Sequence, residues 1–136
     1  MYQLLLLLLM ILLGAPLTSV PPQEGARFEG MHVFITLNEN PTTGYMWSIA
    51  IEPEGLLVCE KDHYRPDAAS RHTAGGGGYR QFVLLADGPG VADIRLTRTG
   101  PAGLADREII YQVHVGETGV ESVERLEVPE STEQYP

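Results

Sequence analysis

The sequence predicts an all-β fold, an antiparallel sandwich of two sheets, immunoglobulin-like in outline. Three observations carry this. Short runs of residues alternate apolar and polar at period two. Each run is bounded by a cluster of turn-forming residues. No stretch of the body between residues 21 and 116 sustains a helical period. Short, evenly spaced strands of this kind make a sandwich. There is a single Cys, so the buried inter-sheet disulfide of antibody domains is absent and the expectation concerns architecture alone.

The strands follow in order. In 31–37, Met31, Val33, Ile35 and Leu37 share one face. In 45–51 the same pattern places Tyr45, Trp47, Ile49 and Ile51 together, with Trp47 expected in the core. Residues 56–60 form a shorter candidate, in which Cys59 reads as a small buried hydrophobe. Phe82, Leu84 and Ala86 line one side of 81–86. Ala92, Ile94 and Leu96 point inward from 91–98, with Asp93, Arg95 and Thr97 outward. Ile109, Tyr111, Val113 and Val115 form the last clear face, in 108–115. Turn signals separate the runs at 38–44, 52–55, 75–78, 87–90 and 100–103.

The two ends differ from this body. Leu4 to Leu13 is an unbroken apolar run followed by Gly14, Ala15 and Pro16. It is too short to span a bilayer as a helix. It reads as an export signal over residues 1–20, cleaved between Ala15 and Pro22, with an uncleaved anchor as the alternative. The protein is therefore expected to be secreted or periplasmic, and free of the membrane once the signal is removed. Residues 117–136 hold six acids and one base, a net −5 of the chain's −9. This acidic C-terminal tail reads as mostly disordered, with a last strand as the alternative. The chain length of 136 leaves one domain, 21–116, between these ends.

Charge and composition exclude several functions. A pI near 4.8 repels nucleic acid and anionic lipid. One Cys excludes a multi-Cys zinc site, and His32, His63, His72 and His114 show no metal-ligand spacing. No cofactor or metal is expected. Cys59 and His63 would lie about 13 Å apart along an extended strand, too far for a nucleophile and its base. The run Gly75, Gly76, Gly77, Gly78 leads into Tyr79 and a strand, without the Lys and helix of a phosphate loop. No acid–base or nucleophile constellation remains, so an enzyme is not expected.

One turn stands out. In Asn40-Pro41-Thr42-Thr43-Gly44, Pro41 fixes its own φ and drives Asn40 to an extended conformation. Gly44 can take the positive φ that returns the chain to a strand. The two threonines then sit on a stiff tip, which loses little entropy on entering a cleft. With Tyr45 and Trp47 after it, this segment resembles the first binding loop of the chagasin family of cysteine-protease inhibitors. Gly75 to Gly78 and Tyr79 match the family's second, Gly-rich loop. The third usually reads Arg-Pro-Trp before Thr-Gly-Pro. Here Arg98 is followed directly by Thr99, Gly100 and Pro101, as if Pro-Trp had been deleted.

The resemblance spans residues 28 to 115 and implies seven or eight strands in the same sandwich. It also implies a reversible inhibitor of papain-like, cathepsin-type cysteine endopeptidases, acting as a monomer. The three loops would occlude the active-site cleft, with Thr42 and Thr43 nearest the peptidase thiol. Asn40, Pro41 and Gly44 would hold that loop's shape. Gly75 to Gly78 and Tyr79 would run beside the substrate groove, and Arg98, Thr99, Gly100 and Pro101 would cover the other wall. Loss of a large aromatic anchor typically costs about 2 kcal/mol, so weaker inhibition or a shifted target range is expected. The rival readings are an exported immunoglobulin-like adhesion or carbohydrate-binding module and a structural subunit. The first needs exposed aromatics on a strand face, the second an apolar edge.

Overall fold

The computed structural model describes residues 23–67 and 77–128. They form eight strands: β1 (Gly25–Glu29), β2 (His32–Glu39), β3 (Met46–Glu52), β4 (Leu57–Pro66), β5 (Gly78–Ala86), β6 (Gly90–Thr99), β7 (Ala105–Val115) and β8 (Val120–Leu126). One sheet has the order β1-β2-β5-β4 and the other β3-β6-β7-β8. Every pairing is antiparallel.

The alternation in the sequence becomes the interior. Val33, Ile35 and Leu37 from β2 and Phe82 and Leu84 from β5 are fully buried, opposite Ile94 and Leu96 of β6 and Val113 of β7. Each such side chain contributes about 1.5–3 kcal/mol by leaving water. Trp47 joins this core, and its indole N–H donates to the Asn38 carbonyl at 2.9 Å. Its neighbours at period two bury less: Ile49 and Ile51 are half-buried and Tyr45 is exposed.

Two expectations change. The tail is not disordered throughout, because Val120–Leu126 pairs with β7 as β8. A turn bonded from the Gly116 amide to the Gly119 carbonyl reverses the chain, and the Val120 amide donates to Gly30 at 2.8 Å. Val120 is buried and Val123 packs against the core, while Glu121 and Glu124 stay exposed. Charge on one face is compatible with a half-buried strand, so the acids did not exclude one. Glu130 and Glu133 lie outside the described residues, as do the expected export signal at 1–20 and His72.

Cys59 is exposed, not buried. The 56–60 run is the start of a longer edge strand, and its register with β5 shifts between Cys59 and Lys61. Beyond Leu57 no side chain of β4 is fully buried. β1 was not anticipated, because its alternation is only one Ala26/Phe28 pair, Phe28 stays exposed, and the strand only edges its sheet.

Candidate functional site

The chain leaves the first sheet at Glu39 and enters the second at Met46. Between them, Pro41–Thr43 forms one 3-10 turn. Asn40 is extended, at φ −127° and ψ 95°, as Pro41 requires. Its side-chain oxygen caps the turn, accepting from the Thr42 amide at 3.2 Å and the Thr42 hydroxyl at 2.6 Å. The Thr43 hydroxyl donates to the Asn40 carbonyl at 2.6 Å. Gly44 closes the turn at φ 81°, its amide donating to Pro41. Both hydroxyls are thus turned back on Asn40, while Pro41, Thr42 and Thr43 remain exposed at the tip.

The base of this turn is clamped by residues that the sequence did not single out. Glu39 is 4% exposed, yet it is an acid. Its carboxylate accepts the Trp47 amide at 2.9 Å, which ties the two ends of the turn together. It also accepts from Arg80 Nη2 at 2.6 Å and from Nε at 3.2 Å. Arg80 stands on β5, two residues past Gly78, and also reaches Asp62 of β4 at 3.0 Å. One buried carboxylate therefore joins the first turn to the strand that leaves the Gly-rich segment. The carboxylates around Arg80 hold its guanidinium above its ordinary range, chiefly through the hydrogen bonds it donates to Glu39.

The Gly-rich segment is described only at its two ends. Gly75 and Gly76 lie outside the described residues. The Asp67 amide donates to the Gly77 carbonyl at 3.1 Å, so the ends lie side by side. Gly78 is buried, and a Cβ there would collide with the Arg65 carbonyl and the Tyr64 ring. That close approach, not flexibility, is what requires glycine at this position.

The third segment is a tight hairpin tip. The Gly103 amide donates to Gly100 at 3.0 Å and the Gly100 amide to Leu104 at 2.9 Å. Pro101 lies at the second position of this turn and Gly103 takes φ 78°, the pattern of a three-residue loop with a glycine bulge. The tip leans on the first turn: a Cβ on Gly44 would stand 3.0 Å from Pro101 Cβ, and one on Gly100 2.7 Å from Tyr45 Cε1. Arg98 forks onto Asp106, at 2.9 and 2.7 Å, and lies 5.4 Å from the Tyr45 ring centroid. The Arg98 hydrogen bond holds the Asp106 carboxyl below the usual carboxylate range. The charged pair is therefore complete above the ordinary aspartate range and is lost only as pH falls through that depressed value.

The three segments meet at one pole. A hollow of about 510 Å³ is lined by Asn40 and Thr43 of the first, Gly77, Gly78 and Tyr79 of the second, and Arg98 and Asp106 of the third. Nothing in it resembles a catalytic centre. Among the described residues, no group of three or more His, Cys, Asp or Glu could hold a metal ion. Partial burial and the nearby Asp62 push the Cys59 thiol up, away from the reactive thiolate. Among the described residues, no helix is long and apolar enough to cross a membrane.

The two-sheet sandwich thus carries an exposed, internally bonded Pro-Thr-Thr turn with two further segments beside it at one pole. The model of the Chagasin family peptidase inhibitor I42 matches residues 29–115, and the chain belongs to that family. Its members are peptidase inhibitors, not enzymes. Among solved structures, the cysteine protease inhibitor EhICP2 from Entamoeba histolytica is similar at 25% identity and a TM-score of 0.55, over 62% of this chain and 78% of that one. Amebosin is 25% identical over 62% of this chain and 77% of its own, at a TM-score of 0.47. No curated protein matches the sequence.

Proposed function

We propose that the protein is an exported, monomeric, reversible inhibitor of papain-like cysteine endopeptidases, and that its three-segment pole occludes their active-site cleft. The observation that carries this is the exposed Pro41–Thr43 turn, bonded to Asn40 and flanked by both other segments at one end of the sandwich. A turn fixed this way has little conformational entropy left to lose on binding. It also explains survival in the cleft. Peptidases bind the scissile segment extended, whereas the Thr42–Gly44 peptides are held in a helical turn by two backbone bonds. Attack on such a bond requires the turn to open first.

Titrating papain with the purified protein tests this, following hydrolysis of a small peptide substrate. Activity should fall competitively and return on dilution. Thr43→Arg places a long charge on the exposed tip and should weaken inhibition at least about tenfold, with the domain still folded. An unchanged inhibition constant removes the first turn from the mechanism.

A further inference from the structure

The third segment lacks the large aromatic that the family's pattern places there, yet it is not without an apolar group. Leu104 is 73% exposed, the most exposed large hydrophobic side chain among the described residues. Its backbone is fixed: its carbonyl accepts the Gly100 amide, and it closes the stiff turn through Pro101 and Gly103. An exposed leucine on rigid backbone is an anchor without a partner, since water gains nothing from it and folding does not use it.

The register says which way it faces. Met46 pairs with Thr99, and Thr99 with Ala105. The next row toward the pole is Tyr45, Gly100 and Leu104. Side chains of one row share a face of the sheet. Tyr45 follows the parity of buried Trp47, so this is the face that becomes the core further down and opens beyond it at the loop end. The middle member is a glycine, and the Tyr45 ring lies over it, 2.7 Å from where a Cβ would stand. Tyr45 and Leu104 therefore flank a position that has no side chain. Tyr45 also lines the hollow between the three segments, with Arg98 and Asp106 below it.

We infer that Leu104, with Tyr45 beside it, is the apolar contact that the third segment makes with its target, and that it sets target range. The inference rests on the inhibitor reading above. The partner it selects is a papain-like peptidase whose cleft wall, on the side facing the third segment, carries an apolar depression of side-chain size. A wall lined with charge is selected against, because the leucine would strip its water and return no hydrogen bond.

Inhibition constants of the full chain and of Leu104→Asp and Leu104→Ser are measured against papain, with thermal unfolding of each. Both variants should inhibit at least about tenfold more weakly. Their unfolding temperatures should stay within about 3 °C of the parent, because the replaced side chain is already in water. Leu104→Trp should inhibit at least as well as the parent. If the Asp variant unfolds early, the Ser variant decides. Equal constants for parent and Ser variant overturn the inference and leave the three-loop reading intact. A parent that does not inhibit at all overturns both.

Discussion

Glu39 occupies a place where an acid is costly. A buried carboxylate must be paired and fully hydrogen-bonded, and this one is, by Arg80 and the Trp47 amide. Removing the carboxylate leaves the buried Trp47 amide without its acceptor and Arg80 with only the exposed Asp62. Glu39→Ala should therefore cost about 3 kcal/mol of stability, read by denaturant unfolding. It should weaken inhibition by more than Arg95→Ala, which breaks only the exposed pair with Glu108. Gly44 makes a second residue-scale case. At φ 81° an alanine costs about 1–2 kcal/mol, and its Cβ would also press on Pro101. Gly44→Ala should disturb the first and third segments together and weaken papain inhibition about tenfold or more. The glycine was legible in the sequence, because Gly44 can take the positive φ that returns the chain to a strand. The glutamate was not. An acid just before a turn reads as solvated, and its arginine lies forty-one positions away.

At the scale of elements, the alternating strands were the most legible part. β2, β5, β6 and β7 bury the residues that period two assigns to their inner faces. What periodicity missed lay at edges. β1 offers only Ala26 and Phe28, β4 is irregular and mostly exposed, and β8 carries two acids and an arginine among its seven residues. Edge strands bury one flank at most, so their sequences carry a weaker apolar signal. β8 supplies a direct test. Removing residues 117–136 uncovers the edge of β7 and the contacts of Val120 and Val123. Losing about 2 kcal/mol of apolar burial should lower the unfolding temperature by about 8 °C or more. A tail without structure would leave it unchanged. The third segment is the other element to watch. Shortened relative to the family's pattern, it is nonetheless closed by two backbone bonds and braced against Gly44.

At the scale of the whole molecule, the topology makes one pole. The β2–β3 crossing, the two described ends of the β4–β5 connection and the β6–β7 hairpin lie at the same end, and the hollow lined by all three records it. No single stretch of sequence shows that convergence, because the three segments lie far apart along the chain. From residue patterns alone it does not follow; only the family resemblance implied that the three motifs meet at one end. Sharing one rigid support has a physical consequence: the segments can enter a cleft together, without each being ordered separately.

If the proposed reading holds, this pole binds inside the peptidase cleft. Calorimetry with papain, free and with its cleft filled by a covalent peptidyl reagent on the active-site thiol, tests it most directly. Binding to the free enzyme should be saturable, and affinity for the filled one at least about a hundredfold lower. Equal affinity for both would place the contact elsewhere on the peptidase and contradict the account.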